Sequence, residues 1–332
     1  MTARTGPRMV ARLSRADDEA GILAVYTAAF DRWPVAELTV PLLDHLRWKL
    51  CSHERALHFV GEIAGEIVVT RPHVVRRIKV GERVLLSQAG VDNATLPRYQ
   101  GLGLMAELRD FGWDVLGAFD MAYFVESGHP RMQALQPKVP VPLERFANTV
   151  DVLVHDLRDA ATAYDSPRFE LRSAERFDER TDLFWSEASR PFDFIVVRDS
   201  EYLNWRFDPR AGTYHIRLAT EGGRVLGYTV TATAYGRGYI ADLLVLPARP
   251  DVLEALLRDA LDRLRAAGVS SVKAWLPRRH AYRGVFERFG FRPRGPAVAF
   301  AFESHRASAE ELRFLHEPRL TMHVSLSDSD VV

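Results

Sequence analysis

One cysteine, Cys51, occurs in 332 residues, so no intramolecular disulfide can form, and no Cys/His spacing has the pattern of a zinc site. A reducing, cytoplasmic setting is the expectation. Surplus charge is missing too: 44 basic residues meet 44 acidic ones, which leaves no global field to draw in nucleic acid or an anionic membrane. Any anion site has to be local. Long apolar runs are also absent. The stretch "IADLLVL" is far short of a membrane span, and the first twenty residues carry no apolar core of a secretion signal. The chain is expected neither to bind a membrane nor to be exported. Lysine is scarce, at four residues (Lys49, Lys79, Lys138, Lys273), which leaves an arginine-dominated surface and reads as genome composition rather than function.

What is present fits an ordinary globular chain of two domains: 47% apolar residues, 27% charged, and a length beyond that at which single cores stop growing. A short strand at 9–13 leads into a helix that opens at "ADDEA", and a second helix carries "DHLRWKL" at 44–50. "LHFVGEI", "IVVTRPHVV" and "VLLSQAGV", parted by turns at "AGE" and "KVGER", read as an antiparallel meander. A glycine-opened helix (101–117) and the strand "MAYFV" follow.

After a break at 158–168 the order starts again, from "FELRSA" through a helical region ending in "EYLNWRF" (201–207) to a second meander turned at "EGG" and "YGRG". Helix 251–267 carries Leu253, Leu256, Leu257, Ala260, Leu261 and Leu264 on one face and stops at Gly268. The two Trp phrases stand at matching distances from their hairpin glycines, Trp48 before Gly65 and Trp205 before Gly223. One β-α-α-β-β-β-α-β unit written twice accounts for this. The expected division is a first domain at 8–157, a linker at 158–168 and a second domain at 169–332. Each Trp phrase is expected to dock a helix end onto the sheet of its own half.

The stretch "VDNATLPRYQGLGLMAEL" (91–108) runs from a strand through glycines at 101 and 103 into a helix. Glycines at a helix start let the backbone approach a ligand while unpaired N–H groups point outward at the positive end of the helix dipole. By itself the pair is compatible with a plain tight loop. Its context resembles the acetyl-CoA signature of the GNAT N-acyltransferase superfamily: Gln or Arg, two residues, Gly, one residue, Gly or Ala. Gln100 and Gly103 match, Gly101 is also typical, and Met105 replaces the last Gly or Ala, a departure expected to crowd the loop. "FERFGFRPRG" (286–295) resembles the closing segment of the same superfamily. The second half has "LPARPDVLEALL" where the loop should be, and Pro250 and Asp251 there oppose phosphate binding. The pattern is similar to tandem GNAT proteins.

That resemblance implies a mixed α/β fold of two GNAT-like domains, each a mostly antiparallel sheet flanked by helices. It implies acetyl-CoA or another acyl-CoA as co-substrate, no metal, and a small-molecule amine as acceptor, with an acyl carrier protein as a possible donor. The pantetheine arm is expected against the backbone of Ala89, Gly90, Val91, Asp92 and Asn93, and the pyrophosphate against Gln100, Gly101, Leu102, Gly103, Leu104 and Met105. An attacking amine is mostly protonated at neutral pH, so a base is needed. Glu126 at the end of the fifth strand is the preferred base, followed by Ser127 and His129 at the same mouth. Asp92 on the donor strand, and Tyr239 and Asp242 from the second half, complete the catalytic candidates. Tyr123 and Trp275 read as core or pocket-wall aromatics, with Tyr282 near the latter, and His280 reads as a solvated loop residue. The tail from Leu320 reads as a closing strand with a frayed acidic end, in which Asp328 and Asp330 alone make no metal site. Two alternatives stay open: a transferase using a carrier-protein or aminoacyl-tRNA donor, and a non-catalytic acyl-CoA-binding protein.

Overall fold

The structure, a computed structural model, describes residues 8–34, 36–50, 55–126, 143–157 and 168–329. Ser127, His129, Cys51 and Asp330 lie outside the described residues. The first half runs β1 (Val10–Leu13), α1 (Glu19–Ala29), α2 (Leu42–Leu50), β2 (Ala56–Ile63), β3 (Glu66–Val80), β4 (Arg83–Gly90), β5 (Ala94–Thr95), α3 (Leu104–Leu116), β6 (Met121–Val125), β7 (Glu144–Arg145) and β8 (Val150–Asp156). The second runs β9 (Glu170–Ala174), α4 (Glu179–Ala188), β10 (Phe194–Val196), α5 (Ser200–Arg206), β11 (Tyr214–Glu221), β12 (Arg224–Ala234), β13 (Arg237–Val245), α6 (Pro250–Ala266), β14 (Ser271–Pro277), α7 (Arg283–Arg288), β15 (Arg292–Pro293), β16 (Phe300–Ser304), α8 (Ala309–Leu312) and β17 (Met322–His323).

The hairpins form where the sequence places paired left-handed residues. Ala64–Gly65, Gly222–Gly223 and Tyr235–Gly236 all have positive φ, the combination that matches a two-residue turn to strand twist. The leucine face of α6 is buried as its spacing predicts, from Leu253 to Leu264.

Two mixed sheets result, with orders β1-β2-β3-β4-β6-β16-β7 and β15-β8-β14-β13-β12-β11-β9. The halves exchange strands. β16, from the end of the chain, lies antiparallel to β6 with Phe302 opposite Tyr123. β8, which precedes the break at 158–168, lies antiparallel to β14 with Leu153 opposite Ala274. The sequence boundaries thus separate two runs of elements but not two sheets. A further weld is β10, which extends the first sheet by pairing with residues 78–80 of β3 and takes β17 as its parallel neighbour.

The Trp phrases correct their expectation. Trp48 and Trp205 stack on each other across the halves, centroids 5.4 Å apart at 26°, and each indole N–H donates to the other residue's carbonyl, at 2.6 and 3.4 Å. Leu46 and Leu50 enter one core and Leu203 and Phe207 the other, so only the flanking residues dock at home. The tail is not frayed over its described length: every residue from 322 to 329 is buried. Three arginines hold it. Arg206 donates to the carbonyls of Ser327 and Ser329, Arg76 to that of Asp328, and Arg198 pairs with the Asp328 carboxylate at 2.6 Å. Backbone carbonyls carried into the interior need such donors.

Candidate active site

β4 and β6 run parallel but pair only at Ser87 with Met121 and Gln88 with Ala122; beyond these residues the ladder stops and the strands part. On the β4 side the chain bends at Asp92, with φ of 44°, and rejoins β3 as β5. Ala89 and Val91 are buried, and the Asn93 side-chain oxygen is buried without a hydrogen-bond partner. It is a spare acceptor on the segment that leaves β4.

The loop before α3 suits an anionic guest. Gly101 and Gly103 have φ of 77° and 81°, a conformation costly for any residue with a Cβ, and a Cβ added to either meets nothing within 4 Å. The loop is open, and the first N–H groups of the 13-residue helix α3 lack intrahelical partners. Gln100 braces the loop by donating to the Thr95 carbonyl at 3.1 Å. Leu102 is exposed. Met105 packs against the first-half core, which corrects the expected crowding.

The second half closes its counterpart of this site. Arg249 clamps the Asp251 carboxylate at the start of α6, where Pro250 also removes a donor. Ala248 is left-handed like Asp92; counting back three residues equates Val245 with Ala89, and Tyr282 occupies both backbone groups of Val245 through its hydroxyl, at 3.0 and 3.3 Å. The tail turn Leu326–Asp328 lies against β13.

The sequence-chosen side chains are not brought together. Glu126 accepts from Arg145 Nε at 2.7 Å. Asp242 is fully buried and its oxygens accept from Arg198 Nε at 2.9 Å, the Tyr228 hydroxyl at 2.7 Å and the Leu243 N–H at 3.1 Å. Burial would raise its carboxyl, but the Arg198 charge and His323 hold it well below the ordinary range. His280 is buried against His323 at 3.0 Å, not solvated. Tyr123 and Trp275 are core aromatics. Asp92 accepts from Lys49 Nζ at 2.7 Å and Trp33 Nε1 at 2.9 Å; burial would raise it, yet the Lys49 charge and these bonds keep it below the usual value. Tyr239 is half-buried and lines a cavity between the halves.

Two cavities lie at that junction, and Ala36 lines both. The outer one, about 350 Å³, is lined by Arg32 and Glu37 of the first half and Tyr214, Tyr235, Arg237 and Tyr239 of the second. The inner one, about 30 Å³, is lined by His45, Trp48, Lys49 and Arg76 of the first half and Arg206 and Ser329 of the second, room on the order of one water. Arg206 links them by donating to the Tyr214 hydroxyl at 3.2 Å.

His45 is the residue sequence reasoning missed, although it sits inside the quoted "DHLRWKL". Its Nδ1 lies 2.8 Å from the Arg210 carbonyl, which can only accept, so Nδ1 carries the proton and Nε2 is the lone pair. That Nε2 is buried without a partner. Burial pushes the imidazole down to about 4, so it is neutral at pH 7.

The fold these features build is the GCN5-related N-acetyltransferase fold, with a parallel strand pair that separates after two residue pairs in each half and a glycine-opened helix in one. No family model matches the chain, and no curated protein matches it. Solved structures do. A GCN5-related N-acetyltransferase from Anabaena variabilis aligns over 89% of this chain and 72% of its own, at 9% identity and a TM-score of 0.66. One from Sphaerobacter thermophilus aligns over 90% and 96%, at 20% identity and 0.52. The Saccharomyces cerevisiae N-myristoyltransferase, in a structure with myristoyl-CoA bound, aligns over 93% and 81%, at 10% identity and 0.61.

Proposed function

We propose that the protein is an N-acyltransferase that moves an acyl group from acyl-CoA to a small-molecule amine. The observation carrying this reading is the open Gly101–Gly103 loop at the start of α3, present in one half only, beside the end of the short β4–β6 ladder. Backbone amides of Gly103, Leu104 and Met105 at the start of α3 receive the pyrophosphate, with Gly101 giving the loop its open turn, and residues 89–93 line the path of the thioester arm. Asp92, kept ionised by Lys49, fixes the bend in that path.

The acceptor enters through the cavity between the halves as an ammonium. The cations lining the inner cavity, Lys49, Arg76 and Arg206, favour loss of its first proton to solvent, which frees the nitrogen lone pair. The amine nitrogen then bonds to the thioester carbonyl carbon and becomes far more acidic, His45 Nε2 takes its second proton through a water in the inner cavity, and the carbon–sulfur bond breaks so that coenzyme A leaves as a thiolate. The proton held by His45 goes to that thiolate, which balances the exchange.

Thermal unfolding with acetyl-CoA at about 100 times its Kd should show added stability of about 2.7 kcal/mol, with thiol release in the presence of amines. Gly103→Glu should abolish both. Retention of the thermal shift in Gly103→Glu would place donor binding elsewhere.

A further inference from the structure

Resting on the reading above, the outer cavity carries information about which amine is used. One cross-strand row crosses the end of the second sheet: Tyr214 opposite Ala232, Ala232 opposite Tyr239, Tyr239 opposite Lys273. Residues in register on adjacent strands project from the same face, so two tyrosines flank an alanine floor. With β12 between them, Tyr214 and Tyr239 stand two strand spacings apart, roughly 9.6 Å. That gap admits a ring, and a flat aromatic ring gains stacking against a tyrosine face that a saturated, puckered ring has no π-system to make. Ala234, two residues along the same strand, extends the floor opposite Arg237.

The electrostatics point one way. Arg237 makes no ion pair with a described residue, and Lys273 is near enough that, after burial, Arg237 is what lowers its pKa. Arg32 lies over the Tyr235 ring at 4.1 Å. The one carboxylate in the lining, Glu37, already accepts the Tyr235 N–H at 2.9 Å. An excess of fixed positive charge at the mouth repels a bare ammonium and holds an anion.

We infer that this cavity is the acceptor subsite and that it takes a planar amine bearing a carboxylate or phosphate, ring between Tyr214 and Tyr239 and anion at Arg237, with the amine directed toward Arg206 and the inner cavity. Three probes separate the components: 4-(aminomethyl)benzoate is flat and anionic, benzylamine is flat without the anion, and trans-4-(aminomethyl)cyclohexanecarboxylate is anionic without the flat ring.

Binding of each to the full chain, without acyl-CoA, is measured by calorimetry. The expected result is at least a tenfold preference for 4-(aminomethyl)benzoate over both others. Arg237→Gln, an exposed change, should remove the preference over benzylamine but keep that over the cyclohexane compound; Ala232→Leu should fill the floor and abolish binding of all three. Should Ala232→Leu not fold, Tyr239→Ala serves, removing the preference over the cyclohexane compound. Benzylamine binding as tightly as the benzoate, no binding of any probe to the wild type, or full binding by these variants overturns the subsite. Selective binding with no thiol release from any acyl-CoA would instead leave the subsite standing and sink the acyl-transfer reading.

Discussion

The chemistry turns on whether a residue is free to act, and this is decided by partners distant in sequence. Glu126 stands at the strand end where a base was expected, yet Arg145, 19 residues on, holds its carboxylate. His45 has its Nδ1 satisfied and its Nε2 left over. We expect His45→Gln to lower kcat about 10²-fold or more with the KM for acyl-CoA unchanged, and Glu126→Gln to have the smaller effect; steady-state kinetics on the pair decides between the two bases. A larger loss in Glu126→Gln would return the role to it. The glycine loop was legible because its chemistry is local: positive φ at 101 and 103 needs glycine, and a helix start needs anions or caps. His45 was not, because its signal is an unsatisfied atom, which exists only once the carbonyl of Arg210 has been folded against it.

At the scale of elements the same division holds. Hairpins at Ala64–Gly65 and Gly222–Gly223 and the leucine face of α6 follow from short-range pattern, and strand order within each meander follows from the turns. The exchange of β8 and β16 does not, since alternation says which face of a strand is buried and not whose sheet it completes. The Trp phrases carried more than a ruler for the repeat: they meet, and their reciprocal hydrogen bonds make the junction one packed unit. A double-mutant cycle on Trp48→Phe and Trp205→Phe, measured by urea unfolding, should give a coupling of about 1 kcal/mol. Additive losses would mean that each indole acts within its own half.

Across the whole molecule, interior histidines set the response to acid. Burial pushes His45 and His58 down to about 4, and lowers His73, His280 and His323 as well. Each has a folded pKa below its unfolded value near 6.5, so the unfolded chain binds more protons as pH falls. Their stability contribution is complete above about pH 6.5 and is lost as pH drops from there toward 4, on the order of 3 kcal/mol each for His45 and His58. Below that window Asp92 and Asp242, with depressed carboxyls, continue the loss. Tm should therefore be flat from pH 8 to 7 and fall steeply between 6.5 and 4. A Tm unchanged down to pH 5 would mean that these imidazoles are solvated.

The exchanged strand β16 also imposes an order in time. A ribosome finishes Val125 of β6 long before it reaches Phe300, and at about 5 to 20 residues per second the intervening 174 residues take roughly 9 to 35 s. Through that interval the edge of β6 that β16 will cover is bare. The half with the open glycine loop is thus translated first and completed last, and its nascent form has an exposed strand edge of the kind that chaperones shield.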